Sequence, residues 1–354
     1  MSSLLIPVLM SLVVGDEPKG APKIAAPTGK GIVAPDARLE KVYTRTQKDI
    51  TGGLTEGAAV APDGSIYFTD IPFGPKDKGL ILRFDPRTRK TTVFSDDSKK
   101  ANGLMFDARG YLVACEGADG GGRCVSRWNI KTRTRTVVAD NYNERKFNSP
   151  NDLCIDLRGR IYFSDPRYVG KEKRELRHQA VYRIDPDGTV NEITHDVETP
   201  NGLAISPDQK TLYLADHNPG SDDIVNRKPE KKGSMKIYAF ALDDDGLVKG
   251  KRKTIVDFGA EDGCDGMTVD ARGNLYLTVR SGKRPGVLVV NPNGKEIAFI
   301  PTGPANQTGK DLVGLPSNCD FGIGAESRVL YVTVDQSLYR IPLLVEGWHI
   351  PWAK

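Results

Sequence analysis

One sequence unit occurs six times along the 354-residue chain, and its spacing constrains the fold more than any single residue does. Each copy has an opening polar residue, an apolar strand, a turn and a second apolar strand. The opening residues are Glu56, Asn102, Asn151, Asn201, Asp265 and Asn318, spaced by 46, 49, 50, 64 and 53 residues. A unit of about 50 residues that begins with hairpin strands is typical of a four-stranded propeller blade. Six copies therefore predict an all-β protein, a six-bladed β-propeller.

The residue pattern within the copies favours strands over the helices of a solenoid, which is the alternative repeat architecture. Apolar side chains alternate with a period of two, as at Ile66 and Phe68 or at Ile161 and Phe163. The 37 Gly and 23 Pro also interrupt the chain too often for long helices. Residues 36–45 have strand character ahead of the first copy, so we expect them to complete the last blade and close the ring.

The ends of the chain suggest segments outside the repeats. The apolar run 4–14 resembles the core of a secretory signal peptide, which predicts a signal peptide over 1–18 and a periplasmic or secreted protein, otherwise a cytoplasmic one. Eleven apolar residues are too few to span a bilayer, so no stable membrane insertion is expected. Composition predicts a flexible linker over 19–35, followed by the propeller at 36–345 and a C-terminal tail at 346–354.

Charge and cysteine content narrow the function. A net charge of +4, from 50 basic and 46 acidic residues, is too weak a bias to indicate a nucleic-acid binder. Five cysteines without a CxxC pair predict neither a disulfide framework nor a zinc site, although a bridge between Cys115 and Cys124 stays open. No Gly-x-Ser-x-Gly elbow supports a serine hydrolase. The polar interruption 217–233 is either a cover over the substrate or a surface excursion.

The opening residues carry the chemistry, because the innermost strands of a propeller line its central channel and bring equivalent residues together on the axis. Two carboxylates and several amides, without a ring of His or Cys, suit a hard divalent cation. Ca²⁺ is expected first, with Mg²⁺, Mn²⁺ or Zn²⁺ as alternatives. The other interpretation is that these polar residues cap the starts of strands through local hydrogen bonds.

Four of the copies resemble a known family. Glu56-Gly57, Asn-Ser-Pro-Asn-Asp at 148–152, Pro-Asn-Gly-Leu-Ala at 200–204 and Asp265-Gly266, with Asp-Pro-Arg-Tyr at 165–168, are similar to motifs of the SMP-30/gluconolactonase/luciferin-regenerating-enzyme family. The resemblance extends from about residue 37 to 342. It implies a six-bladed propeller with one catalytic divalent cation, often Ca²⁺, and hydrolysis of sugar lactones, while some relatives act on organophosphates.

The same resemblance implies the site residues. The metal ligands expected from the family motifs are Glu56, Asn151, Asn201 and Asp265. The animal branch has an arginine where this chain has Ser149, and bacterial gluconolactonases often have a histidine where Gly117 follows Cys115-Glu116. The particular lactone is therefore not predicted.

The expected reaction is attack of water on a polarised lactone carbonyl. Asp265 is the candidate general base, with direct attack by its carboxylate as the alternative. The expected substrate contacts are Asn102, Glu116, Arg167, His217 and Asn318. The rival function is a non-catalytic propeller that binds a partner and holds a structural cation.

Overall fold

The computed structural model of the protein describes residues 24–47, 52–224 and 231–353. Over these ranges the strands form six four-stranded antiparallel sheets and one two-stranded hairpin. The six sheets are the blades of the predicted propeller, which confirms the fold. In the described part of the chain, no helix is long and apolar enough to cross a membrane.

The strands follow one another blade by blade. Strand β1 (Glu40–Thr44) precedes the first blade, which contains β2 (Leu54–Val60), β3 (Ile66–Ile71), β4 (Leu80–Asp85) and β5 (Lys90–Ser95). Blade 2 contains β6 (Ala101–Phe106), β7 (Leu112–Glu116), β8 (Cys124–Trp128) and β9 (Arg135–Ala139), and the hairpin β10 (Asn141–Tyr142) and β11 (Arg145–Lys146) follows it. Blade 3 contains β12 (Leu153–Ile155), β13 (Ile161–Asp165), β14 (Ala180–Ile184) and β15 (Val190–Thr194).

The second half of the ring has the same order. Blade 4 contains β16 (Pro200–Ile205), β17 (Thr211–His217), β18 (Met235–Leu242) and β19 (Val248–Asp257). Blade 5 contains β20 (Cys264–Val269), β21 (Leu275–Val279), β22 (Gly286–Val290) and β23 (Glu296–Pro301). Blade 6 contains β24 (Pro316–Phe321), a 3-10 turn at Gly324–Glu326, β25 (Val329–Val334) and β26 (Ser337–Pro342).

The first strand of each blade lies innermost, and each inner strand contacts the next around the channel. Apolar side chains fill the space between neighbouring blades. Phe68 of blade 1 packs in one cluster with Tyr331 and Leu338 of blade 6, and Tyr162 of blade 3 packs with Leu212 of blade 4. Because the core lies between sheets, each blade depends on its neighbours for burial of its faces.

The ring is closed by β1, as predicted. It pairs antiparallel with β26, so the first described strand is the outermost strand of the last blade. Arg45, directly after β1, forms an ion pair with Asp70 at the end of β3, with a distance of 2.8 Å from Nε to Oδ2. Both side chains are almost completely buried. The closing strand is thus joined to the first blade as well as to the last.

The described part of the segment ahead of β1 differs from the flexible linker that its composition predicted. Thr28 donates its N–H to the carbonyl of Phe299 at 2.8 Å, and Ile32 is buried in the cluster between blades 5 and 6. Gly29 has a φ of +114°, and a Cβ there would lie 2.2 Å from the Cβ of Ala298. Residues 1–18 lie outside the described ranges, so the signal peptide and export remain predictions.

The C-terminal tail crosses one mouth of the channel. The backbone N–H of Trp348 donates to the carbonyl of Val269 in blade 5, and Ile350 is buried against blade 3. The Trp352 ring packs edge-on against Phe106 of blade 2. Ala353 then donates to the carbonyl of Ala108. A small cavity of about 70 Å³ lies between this tail and the inner strands. The open mouth is therefore at the opposite end of the channel.

All five cysteines are buried free thiols. Cys115 and Cys124 lie on neighbouring strands, but they do not form the bridge that the sequence left open. Cys124 donates its S–H to the carboxylate of Glu116 at 3.2 Å instead. The protein therefore relies on packing and on the closing strand rather than on covalent links.

The ion pair at the ring closure gives a first testable prediction. Arg45→Ala leaves the Asp70 carboxylate buried without its partner, so we expect the free energy of unfolding to fall by about 3–5 kcal/mol. Arg89→Ala is the matched control, because Arg89 pairs with Glu40 of β1 at the solvent-exposed surface and its loss is expected to cost less than about 1 kcal/mol. Urea unfolding followed by tryptophan fluorescence measures both. Equal destabilisation of the two variants would contradict the role assigned to Arg45.

Candidate active site

A β-bulge in the inner hairpin of the blades directs the opening residues towards the axis. In blade 1, Glu56 pairs with Thr69 and Ala59 pairs with Tyr67, so the inner strand has one residue more than its partner. The same shift occurs between Pro200 and Leu203 in blade 4. Blades 2 and 5 repeat it at their own opening residues. A bulge turns a side chain away from the regular alternation of the strand. The local structure thus explains why this repeat position faces the channel.

The glycine after four of the opening residues permits the inner strands to approach closely. A Cβ on Gly57 would lie 2.1 Å from the carbonyl oxygen of Asn102 in the next blade, and one on Gly202 would lie 2.3 Å from that of Asp265. A Cβ on Gly266 would lie 2.4 Å from Cγ of Asn318. Any larger residue would push neighbouring blades apart at the axis. The repeated glycine therefore sets how near the opening side chains lie to one another.

Blades 3 and 6 depart from this pattern, and the departure corrects the prediction for Asn318. Pro316 pairs with Val334 and Cys319 with Val332, so by register Ser317 is equivalent to the other opening residues and Asn318 takes the glycine position. Asp152 takes the same position in blade 3, one residue after Asn151. Asn318 donates its amide to Asp152 at 3.4 Å. The side chain of Asn318 therefore lies deeper in the channel, where it lines the cavity below the tail.

A cavity of about 170 Å³ lies at the open mouth of the channel. Predicted site residues that line it are Glu56, Asn102, Asn151, Asn201, His217 and Asp265. Apolar walls come from side chains such as Phe73 and Ile71 of blade 1. Pro219 and Ile224 add to them from the loop after β17, so the described part of that loop lines the cavity. Pockets for drug-sized ligands usually exceed about 300 Å³, so this one fits a small molecule.

The carboxylates at the axis repel one another. Burial raises the pKa of Glu56 well above its usual value, and the charges of Asp265 and Asp152 raise it further. Burial and Asp265 likewise raise the pKa of Asp152 to about 7, against the lowering effect of its hydrogen bond from the Leu153 N–H. Acidic groups crowded in this way are stabilised by a positive charge between them. The electrostatics therefore favour a cation at the inner end of the cavity.

Asp265 has a cationic partner on one side. The Arg280 guanidinium lies 3.2 Å from its Oδ2 and also donates to the carbonyl of Pro316 at 3.3 Å. Arg280 follows β21 and lines the cavity as well. The pair fixes the orientation of the Asp265 carboxylate, because the arginine is itself held by the backbone of blade 6.

Tyr168 connects two other predicted site residues. Its hydroxyl donates to the carbonyl oxygen of His217 at 2.9 Å and accepts a hydrogen bond from the side-chain amide of Asn201 at 3.1 Å. Burial raises the pKa of Tyr168 well above its usual value and lowers that of His217, so the phenol stays protonated and the imidazole neutral. Among the described residues, Nδ1 of His217 has no hydrogen-bond partner.

Besides Asn318, two further predicted substrate contacts, Glu116 and Arg167, do not line the cavity. Glu116 is completely buried, and both of its oxygens are held by Arg135 at 2.5–2.6 Å. Arg167 is also buried, and it donates to the carbonyls of Asn148 and Glu172 at 2.8 and 2.9 Å. A buried charge needs such partners to offset its lost hydration. The structure therefore assigns both side chains to holding the chain in place, in contrast to the substrate-contact expectation.

Acidic residues at the ends of second strands also position the site. Asp165 accepts the backbone N–H groups of Asn148 and Ser149 at 2.8 and 2.7 Å, directly before the opening residue of blade 3. Asp216 accepts the N–H of Thr199 at 2.8 Å in the same way. These carboxylates hold the chain as it enters the inner strand, so they support the opening residues from behind.

The residues that line the cavity fit a divalent cation. Among the described residues, no three His, Cys, Asp or Glu side chains are grouped so that they alone hold a metal ion. Two carboxylates, Glu56 and Asp265, nevertheless share the cavity with the amides of Asn151 and Asn201. Oxygen donors of this mixed kind are the ligands of Ca²⁺ and Mg²⁺. The raised pKa of Glu56 is the feature that a bound cation would relieve.

Comparison with known proteins finds a matching family model, similar sequences and similar structures. A model of the SMP-30/gluconolactonase/LRE-like region matches residues 54–336. A gluconolactonase from Zymomonas mobilis is 31% identical over 306 residues, which cover 81% of this chain and 78% of the relative. Regucalcin from Xenopus laevis is 28% identical over 282 residues, covering 77% and 79%. The solved structure of a gluconolactonase from Xanthomonas campestris superposes with a TM-score of 0.70 at 28% identity, covering 93% of this chain and 99% of that one.

The close approach of the inner strands gives the second prediction. Gly202→Ala places a methyl group against the Asp265 backbone, so we expect a loss of about 1–3 kcal/mol in stability together with weaker Ca²⁺ binding. Gly188→Ala is the control. Gly188 has a φ of +90°, and no atom lies within 4 Å of an added Cβ. This variant is therefore expected to lose about 1–2 kcal/mol of stability from the backbone conformation alone, without a steric clash. Urea unfolding measures the stability of both variants, and calorimetric Ca²⁺ titration distinguishes them, because only Gly202→Ala is expected to bind Ca²⁺ more weakly. Unchanged Ca²⁺ affinity in Gly202→Ala would refute the link between strand spacing and the site.

Proposed function

Since the chain belongs to the SMP-30/gluconolactonase/LRE-like family, we propose that it is a lactone-hydrolysing enzyme, most closely a sugar lactonase, whose activity requires a divalent cation on the propeller axis. The observation that supports this most is the convergence of two carboxylates and two amides on one small cavity at the open mouth of the channel. Relatives named as a gluconolactonase and as lactonases support the substrate class.

The cation would be held by Glu56, Asn151, Asn201 and Asp265. Ca²⁺ is the first choice, because it accepts six to eight oxygen ligands in flexible geometry and tolerates neutral amide donors. Zn²⁺ is the least suitable, since no His or Cys side chain is among these four donors. When bound, the cation polarises the lactone carbonyl and stabilises the negative charge that grows on its oxygen.

The protein itself supplies the proton transfer. We assign Asp265 as the general base that takes a proton from the attacking water, and Arg280 as the group that keeps its carboxylate in position. Ring opening breaks the bond between the acyl carbon and the ring oxygen, and that oxygen takes up a proton as it leaves. Asp265 can return the proton it accepted, so no further acid is needed. The product is the open-chain hydroxy acid.

The neutral imidazole of His217 and the amide of Asn102 are the proposed polar contacts to the substrate, because both line the cavity outside the cation ligands. The apolar wall that contains Phe73 and Ile224 faces the remainder of the ring. The small volume of the cavity, about 170 Å³, favours a single small ring over a polymeric substrate.

A stability measurement tests the cation. A ligand that binds only the folded protein stabilises it by about 2.7 kcal/mol at a hundredfold excess over its Kd, so chelation is expected to lower the Tm and Ca²⁺ to restore it. Activity on a panel of lactones, measured on the same samples, tests the enzyme class. A propeller with a structural cation alone would lose stability on chelation but hydrolyse no lactone, and an unchanged Tm after verified removal of metal would contradict the axial site.

Substitutions at Asp265 and Asn201, which lie on neighbouring blades, test whether Asp265 acts as a general base or only as a cation ligand. Asp265→Asn keeps an oxygen donor but cannot accept a proton, so turnover at saturating cation is expected to fall by on the order of 10²-fold or more. Asn201→Asp is the contrast, because it adds a negative charge that tightens cation binding while reducing its polarising power. If Asp265→Asn recovers near-wild-type turnover when the cation is saturating, Asp265 is a ligand only.

A further inference from the structure

We propose that Tyr168 is a positioning residue for the cation site: its hydroxyl orients the side-chain amide of Asn201 so that Oδ1, rather than the NH₂ group, faces the axis. This inference rests on the proposed function, since it assigns the cation to the cavity that Asn201 lines. It concerns a residue that contacts Asn201 from outside the ligand set.

The direction of each hydrogen bond follows from the chemistry of the partners. The carbonyl oxygen of His217, 2.9 Å from the Tyr168 hydroxyl, can only accept, so the phenol proton points towards it. The hydroxyl oxygen then has only lone pairs to offer to other groups. It therefore accepts a hydrogen bond from the NH₂ group of Asn201, 3.1 Å away. The opposite amide orientation would bring two acceptors together, which makes the observed orientation the favoured one.

Tyr168 is well placed to hold this arrangement. It follows the Asp165-Pro166-Arg167 segment, whose Asp165 carboxylate and Arg167 guanidinium are both fixed to the backbone near Asn148. Its own carbonyl accepts the N–H of Ile224 at 2.8 Å, from the loop after β17 that also lines the cavity. The hydroxyl is therefore fixed relative to blades 3 and 4 at once.

Asparagine needs such a partner because its two terminal groups have opposite electrostatic character. An amide oxygen attracts a divalent cation, whereas an NH₂ group turned to the same place repels it. Groups that orient metal ligands in this way typically contribute 10–100-fold to metal affinity. Without the hydroxyl, the amide would populate both orientations and the cation would bind less tightly.

The test compares Ca²⁺ binding in three proteins by isothermal calorimetry. Tyr168→Phe removes only the hydroxyl, and we expect it to weaken Ca²⁺ binding by about tenfold. Tyr162→Phe is the matched control. The hydroxyl of Tyr162, in blade 3, donates to the carbonyl of Gly246 between β18 and β19 at 2.8 Å. Tyr162 does not line the cavity, so this variant is expected to bind Ca²⁺ as tightly as the wild type.

A double-mutant cycle separates orientation from packing. In an Asn201→Asp background both terminal groups are oxygens, so there is no amide orientation left to select. Tyr168→Phe is then expected to cause no loss of Ca²⁺ affinity, because the hydroxyl oxygen no longer has an NH₂ group to hold. An equal tenfold loss in both backgrounds would mean that Tyr168 acts through packing, and would overturn the inference.

The remaining outcomes distinguish this inference from the function on which it rests. If the wild type binds Ca²⁺ and Tyr168→Phe binds it equally well, the positioning role is refuted while the cation site stands. If the wild type itself binds neither Ca²⁺ nor Mg²⁺, the proposed cation site fails and the role of Tyr168 fails with it. Melting of the cation-free variants shows whether any loss of affinity reflects unfolding.

Discussion

The close contact of the inner strands at the channel axis is the constraint on which the rest of the structure depends. A Cβ on Gly202 would lie 2.3 Å from the Asp265 carbonyl, so only glycine permits the spacing that brings Asn201 and Asp265 to one cavity. That proximity has an electrostatic cost, because it also brings Glu56, Asp152 and Asp265 near one another. The close approach of the strands therefore produces both the cavity and the repulsion between its carboxylates. A cation between the acidic groups would reduce that repulsion.

The supporting contacts show how the protein holds polar groups in a narrow channel. Carboxylates such as Asp165 and Asp216 accept backbone N–H groups just before the inner strands, and Arg280 restrains Asp265. These residues lie behind the cavity surface and fix the side chains that face it. Preorganisation of this kind holds polar side chains in one orientation towards the cavity.

The sequence predicted the ring, its closing strand and the cavity-lining set of Glu56, Asn151, Asn201 and Asp265, because these depend on period and residue type. It misassigned Asn318, since asparagine occurs one residue late in that copy and only strand pairing identifies Ser317 as the equivalent. The hydrogen-bond partners of Glu116 and Arg167 lie on other strands and loops. The local sequence therefore does not show that these two side chains are held by structural contacts. Arg280 lies outside the repeat position, and the Asp-Pro-Arg-Tyr motif that contains Tyr168 does not by itself indicate a role for its tyrosine.

The closing strand and the tail have a consequence for how the molecule is made. The ring is completed only when β1 meets β26, nearly 300 residues later in the chain, and the tail crosses the sealed mouth later still. A nascent chain leaving the ribosome can form single blades, but each exposes an apolar face until its neighbour arrives. Contacts so distant in sequence form slowly, because a long loop must first be closed. Partly synthesised molecules are therefore the state in which this protein exposes the most apolar surface and is most open to aggregation.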